Sequence, residues 1–161
     1  MSEERTDGDW MEGRFEYVGF WARTGAALIG SLIVILLTAP LLHQIYGTAY
    51  WEEGVFIYGT WDIVLSWLFP FVAILWFWRR KQATPGEMVI KAVIVDVASG
   101  ATPTTKQWLI RYLGYYVATI PLGLGILWVA HDPRKQGWHD KMAGTVVVRA
   151  LPAVEVAASV E

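Results

Sequence analysis

The chain has 161 residues, of which 55 % are apolar and 17 % charged, and its formal net charge is −2. A net charge this small, with no stripe of Lys and Arg among aromatic residues, excludes nucleic acid as the expected partner. The lack of cysteine excludes disulfides, thiolate catalysis and cysteine metal sites.

Three long apolar stretches dominate the chain, at residues 26–42, 61–78 and 112–130. Each is about as long as a helix that crosses a ~30 Å hydrocarbon layer, because an α-helix rises ~1.5 Å per residue. We therefore predict an all-α membrane protein. It should be a small helical bundle of two full spans plus a third apolar segment that is broken by Pro and Gly.

The polar segments divide the chain into three parts. Residues 1–17 are polar and acidic, and they lack the basic-then-apolar order of a cleaved signal peptide, so the first span should remain as an anchor. Residues 18–148 form the predicted transmembrane domain. Residues 149–161 are weakly patterned and predict a frayed C-terminal tail.

The distribution of basic residues predicts the orientation. The loop of residues 43–59 has no Lys or Arg, whereas residues 79–111 carry six: Arg79, Arg80, Lys81, Lys91, Lys106 and Arg111. Basic residues near span ends stay on the cytoplasmic side. The N-terminus and the loop 79–111 are therefore expected to be cytoplasmic, and the first loop to face outward.

The third apolar stretch allows two topologies. Pro121, Gly123 and Gly125 interrupt it, so it either crosses the membrane or dips in and returns. Its hydropathy favours a crossing. The basic residues that follow it favour a return to the cytoplasmic side, which we prefer slightly.

The second stretch carries Pro70 near its middle and Asp62 at its outer end. Proline removes a backbone donor and displaces the carbonyl four residues earlier, at Ser66, so a kink is expected. The kink is either simply packed, or it offers the Ser66 carbonyl and hydroxyl to a cation or water. Asp62 lies so near the interface that solvation is its simplest role.

The first stretch combines an arginine with small residues. Arg23 at its cytoplasmic end either extends to the interface or turns inward to pair with a carboxylate. Two pairs of small residues at i, i+4 spacing predict a helix-packing face, within the chain or between copies. These are Ala26 with Gly30 and Ala27 with Ser31.

The basic loop contains ordered elements. Thr84-Pro85-Gly86 predicts a turn or helix start, and the β-branched residues 89–96 predict a short strand or a surface-lying segment. The segment TPTTKQWLIRYL predicts an amphipathic interfacial helix, with Lys106 and Arg111 beside Trp108 as its anchor. The other tryptophans near span ends also predict interfacial anchoring.

Two His-Asp pairs, His131-Asp132 and His139-Asp140, lie eight residues apart. A metal site needs three or four ligands in a fixed geometry, which two such pairs supply only if the tail folds back on itself. We therefore predict no metal site. A local role for His139 and Asp140, such as capping a helix or meeting Arg23, is the preferred interpretation.

Five ordered motifs together resemble the RDD family of bacterial membrane proteins, named for one arginine and two aspartates. They are GFWAR (19–23), ATPGEM (83–88), VIVDVASG (93–100), IRYL (110–113) and WHDKMAGTVVV (138–148). The resemblance covers nearly the whole chain after residue 17. It implies a protein of the bacterial cytoplasmic membrane.

The resemblance also assigns residues. Arg23 matches the family arginine and Asp140 matches the aspartate of the tail. The other family aspartate falls at Gly30, and a usual lysine of the turn motif falls at Glu87. These departures suggest a charge cluster in which Arg23 pairs with Glu87, Asp140 or both, beside His139.

Two functions follow as expectations. The resemblance implies a transporter of ions or small solutes, which at this size requires a homo-oligomer or other membrane subunits. The alternative, which the residues themselves suit, is a non-catalytic accessory or assembly subunit of a larger membrane complex, and we rank it second. The sequence shows no catalytic triad, cysteine nucleophile or phosphate loop, so we expect no enzyme activity and no cofactor.

Overall fold

The computed structural model describes residues 9–11 and 14–151. The described chain is mostly helical, and two of its segments, Phe20–Tyr46 and Thr60–Val89, are long and apolar enough to cross a membrane. A third apolar segment is bent, so the count of spans is two, or three if the bent pair is one span. The two predicted full spans are thus present as helical segments.

The first helix, α1 (Phe20–Tyr46), is longer than the apolar stretch that predicts it and continues through Pro40. Leucine and isoleucine side chains are exposed around its circumference. A helix that is apolar on all sides is typical of a membrane span, because lipid rather than water surrounds it.

The second span follows the short helix α2 (Ala49–Glu52). It begins as α3 (Thr60–Asp62), continues as a π-helix over Ile63–Leu68 and becomes α4 (Phe69–Lys81). Pro70 is the second residue of α4, two positions after the π-helix ends. Its missing N–H and the displaced carbonyl of Ser66 account for the wider turns, so the predicted irregularity takes the form of a π-helical stretch.

The start of the basic loop packs closely on α1. Helix α5 (Pro85–Val89) opens with a capping box, in which Thr84 and Glu87 each bind the other's backbone N–H. This places Gly86 against α1, where a Cβ would lie 1.8 Å from the carbonyl oxygen of Ala26 and 3.1 Å from the nitrogen of Gly30. The Ala26–Gly30 pair is therefore a packing face within the chain, whereas Ala27 and Ser31 are exposed.

A three-stranded antiparallel sheet corrects the all-α prediction. Its strands are β1 (Phe15–Tyr17), β2 (Val93–Asp96) and β3 (Thr145–Ala150), in the order β1-β3-β2. In β3, Val148 pairs with both Tyr17 and Val93. The sheet joins the segment before α1, the basic loop and the end of the chain.

The two faces of the sheet are covered differently. Ile94 and Val147 belong to a cluster with Val18, Trp78 and Trp108, which lies against the helices. On the opposite face, Val95, Val146 and Val148 pack with partly buried residues that include Trp10 and Phe15. The core of the protein therefore lies around the sheet, not between the spans.

The third apolar stretch folds back. Helix α6 (Thr105–Thr119) begins at a capping box of Thr104 with Gln107, and α7 (Leu124–Leu127) leads into a 3₁₀ turn at Trp128–Ala130. The two arms are bent by 112°. Pro121 opens the bend, and Leu122 and Gly123 have left-handed backbones, with φ of 54° and 76°. Helix α8 (Trp138–Ala143) then packs on α6 and leads into β3.

Several boundaries and anchors differ from the prediction. Trp78 and Trp108 are buried and stacked on each other at 5.5 Å between ring centroids, so they belong to the core and not to the membrane interface. Arg149 and Ala150 belong to β3, so the structured chain extends past residue 148. The rest of the predicted tail, from residue 152, lies outside the described residues, as do residues 1–8.

The contact between α5 and α1 gives the first test. Gly86→Ala should destabilise the protein by about 1–3 kcal/mol, because the methyl group overlaps the backbone of α1 and one helix must shift. The measurement is thermal unfolding of the purified protein in mild detergent. Gly30→Ala is the matched control, since its Cβ meets nothing within 4 Å. Equal loss in both variants would contradict the packing.

Candidate functional site

Asp140 is the centre of a buried charge cluster in which it pairs with Arg23 and Arg111. It lies near the start of α8, where Oδ2 accepts a hydrogen bond of 2.8 Å from the backbone N–H of Gly137. The carboxylate is fully buried. A buried carboxylate is stable only if cations or hydrogen-bond donors surround it, and two arginines do so here.

Arg23 is the first of these arginines. Its Nη2 lies 2.8 Å from Oδ2 of Asp140, and Nη1 donates a 2.9 Å hydrogen bond to the carbonyl of Lys135. Nη2 also lies 3.0 Å from Nε2 of His139. The side chain is therefore turned inward and largely buried. It is held by Lys135, His139 and Asp140, which all follow the bent segment.

Arg111 is the second arginine, and the sequence analysis missed it as a site residue. It is fully buried, binds Oδ1 of Asp140 and donates a 3.0 Å hydrogen bond to Oγ1 of Thr145. Its guanidinium lies 5.4 Å from the ring centroid of Trp78 and 5.7 Å from that of Tyr115, within cation–π distance. Arg111 is thus a core residue and not an interfacial anchor. The sequence signal for a buried role was that apolar residues flank Arg111 on both sides.

His139 completes the cluster as a neutral ring. Burial, with the neighbouring guanidinium groups of Arg111 and Arg23, lowers the pKa of His139 far below its ordinary value. The ring stacks on Tyr115 at 3.9 Å between centroids. A neutral imidazole has one acceptor nitrogen, and the donor Arg23 assigns that role to Nε2. His139 therefore serves as an acceptor for Arg23 and not as an acid.

The cluster ties four elements together. Arg23 comes from α1, Arg111 from α6, Asp140 from α8 and Thr145 from β3. Two guanidinium groups share one carboxylate, so aromatic faces and neutral acceptors must stabilise the remaining positive charge. This arrangement suits a fixed structural clamp.

Glu87 and Gly30 take no part in this ion pairing. The Glu87 carboxylate accepts a 2.7 Å hydrogen bond from the backbone N–H of Thr84, as the acid of the capping box. In the part of the chain that the structure describes, no ion pair joins it to Arg23. Of the two proposed partners of Arg23, the structure brings Asp140 to it.

The two His-Asp pairs have different roles. His131 is exposed, while Asp132 binds Lys141 and accepts hydrogen bonds from the backbone N–H groups of Arg134 and Gln136. Burial raises the pKa of Asp132, but these donors outweigh it and keep the pKa below its ordinary value. Within residues 9–11 and 14–151, no three His, Cys, Asp or Glu side chains come together as possible metal ligands.

A second polar cluster lies at the opposite end of the spans. Asp62 is buried, and its carboxylate accepts hydrogen bonds from Tyr50 (2.8 Å), Ser66 (2.7 Å) and the backbone N–H of Tyr58 (3.0 Å). The rings of Tyr46, Tyr50 and Tyr58 pack around it. The expectation that Asp62 is simply solvated is therefore wrong, because the folded loop covers it.

The charge cluster predicts a large effect for one conservative change. Asp140→Asn removes the negative charge that two buried arginines share, so the protein should lose about 3–5 kcal/mol of stability. Thermal unfolding in detergent measures this. Glu16→Gln is the control, because Glu16 pairs with Arg149 at the surface and its loss should cost less than about 1 kcal/mol. Similar losses in the two variants would contradict the clamp.

Comparison with known proteins agrees with the motifs. The chain is 29 % identical over 137 residues to the uncharacterized membrane protein YteJ of Bacillus subtilis (strain 168), which covers 82 % of this chain and 80 % of that protein. It is 36 % identical over 74 residues to the uncharacterized protein RP437 of Rickettsia prowazekii (strain Madrid E), a match that covers 46 % of this chain and 40 % of that protein. No solved structure matches.

The family comparison covers both arginines and Asp140. The profile of the RDD family matches residues 17–144, which include the spans, the basic loop and the charged residues of the cluster, whereas Thr145 lies one residue beyond the match. The predicted resemblance is thereby confirmed. The chain is a membrane protein that belongs to the RDD family.

Proposed function

We propose that this chain is a non-enzymatic protein of the bacterial cytoplasmic membrane that works as an assembly, and that the assembly moves a small ion or solute. The observation that carries the proposal is the exposed turn at the tip of the bent third segment. The topology of the chain explains why this turn requires cover.

The sheet supports a topology with two crossings. Its strands come from three places: before α1, after α4 and after the third apolar segment. A hydrogen-bonded sheet lies on one side of a membrane, so the third segment enters and leaves on that side. The basic residues of the loop 79–111 favour the cytoplasmic side for the sheet.

Single cysteines test this topology, because the chain contains none. Ala98→Cys and Ala150→Cys, next to β2 and at the end of β3, should resist a membrane-impermeant maleimide in intact cells. Glu53→Cys, in the opposite loop, should react. All three should react after the membrane is opened. Labelling of Ala150→Cys but not Ala98→Cys in intact cells would exclude the returning segment.

The tip of the third segment lies deep in this topology. Helix α6 has 15 residues and is roughly 22 Å long, and the eight residues from Arg111 to Thr119 carry the chain roughly 12 Å beyond the charge cluster before it turns. At the turn, Ile120 is 80 % exposed and Leu122 is 94 % exposed. Irregular backbone at membrane depth is stable only where protein buries it or a water-filled cavity contacts it. A second subunit would either bury the turn directly or form a water-filled cavity with it.

Transport and an accessory role make different use of that assembly. The family resemblance and the turn favour a solute path between subunits. Gly30 favours an accessory role. The resemblance places an aspartate at this position, and an intramembrane carboxylate is the natural carrier of a proton or cation, which this chain lacks there. Asp62 is a buried carboxylate at the outer end of the second span, and three donors hydrogen-bond to it.

The test combines cross-linking with flux. Leu122→Cys should form disulfide-linked dimers in membranes, whereas Leu113→Cys, exposed on the side of α6, should form far fewer. The purified chain in liposomes should then dissipate an imposed ion gradient, and Asp62→Asn should slow this at least tenfold. If the liposomes show no dissipation of the gradient and one fixed partner co-purifies with the chain in mild detergent, the accessory role would be correct and transport would be rejected. Absence of any cross-link or partner would reject the assembly.

A further inference from the structure

A groove between α4 and α6 has the polarity of a phospholipid. Its volume is about 280 Å³, and it is open on one side. Val72, Leu75, Trp76 and Leu109 line most of it. Arg79 and Thr105 line the end nearest the sheet, so the groove is apolar along its length and cationic at one end.

The spacing of these residues makes the groove a built feature of two helices. Val72, Leu75, Trp76 and Arg79 lie at i, i+3, i+4 and i+7 on one face of α4. Thr105, Trp108 and Leu109 lie on one face of α6. The floor is rigid, because Trp108 is buried and stacks on Trp78, which belongs to the sheet core. The concave shape is therefore fixed by the fold.

The charge at the groove's end selects the headgroup. Arg79 is exposed, and so are Arg80, Lys81 and Lys106 nearby. In the described part of the chain, none of these four has an ion pair. Basic residues at a span end attract anionic lipids, and an arginine binds a phosphate through a planar fork of N–H donors.

We infer that this groove binds one anionic phospholipid of the leaflet that faces the sheet, with its phosphate at Arg79 and an acyl chain along Val72, Trp76 and Leu109. This site is independent of the transport proposal. A bound lipid would fill the wedge between the second span and the bent segment, and it would fix the angle between them.

Lipid titration of the purified chain, followed by native mass spectrometry, tests the site. Dioleoyl phosphatidylglycerol should bind at least fivefold more tightly than dioleoyl phosphatidylcholine, which has the same acyl chains. Arg79→Gln should remove most of this preference. Arg80→Gln makes the same charge change one residue away, outside the groove, and should alter affinity less than twofold.

A second variant separates shape from charge. Leu109→Trp fills the groove but keeps Arg79, so it should weaken phosphatidylglycerol binding several-fold while thermal unfolding stays unchanged. Inorganic phosphate at millimolar concentration should not displace the lipid, because the acyl chain supplies much of the affinity. Three results would each overturn the inference. The first is an equal effect of Arg79→Gln and Arg80→Gln on lipid affinity, and the second is displacement of the lipid by phosphate. The third is a change of oligomeric state in Leu109→Trp with lipid binding unchanged.

Discussion

The structure depends on the ion pairs that Asp140 makes with Arg23 and Arg111. Removing three charged groups from water is costly, and the attraction among them compensates only when geometry and hydrogen bonding are nearly complete. Here Gly137, Lys135, His139 and Thr145 supply further donors and acceptors. Nε and Nη2 of Arg111 have no hydrogen-bond partner among the described residues, and the rings of Trp78 and Tyr115 lie within cation–π distance of that guanidinium. These contacts join the first span, the bent segment and the sheet. These polar contacts fix the positions of α1, α6 and α8 relative to the sheet.

The helical geometry separates this clamp from the missing family carboxylate. Position 30 lies seven residues beyond Arg23, which is about 10 Å along α1, so a carboxylate there is not the partner of the Arg23–Asp140 pair. Gly30 instead lies where Gly86 approaches α1. The departure at Gly30 therefore affects a different level of α1, and the clamp is intact without it.

Hydropathy and capping patterns predicted the spans, the start of α5 and the start of α6, because these signals are local. Of the sheet, the sequence indicated only a possible strand within residues 89–96, where β2 lies. The rest was missed because the strands have three to six residues, and β1 pairs with β3 across about 130 positions. Both faces of β3 are buried, so it shows no alternation of polar and apolar residues. Arg111 was misplaced for a related reason: its amphipathic surroundings fit an interface equally well until Asp140 and Thr145, 29 and 34 residues later, are brought beside it.

The distribution of contacts gives the protein two unlike ends. At the sheet end, α1 is held by α5, the charge clamp and the strand that precedes it. At the other end, the tyrosines around Asp62 connect the two spans through a short loop. Between these ends the spans expose leucine, isoleucine and tryptophan to their surroundings. Because water is absent there, those side chains need no burial, and the middle of each span is free to contact lipid or a second subunit. An assembly of this protein would therefore form around its spans and bent segment, while the clamp keeps the part of each subunit around the sheet unchanged.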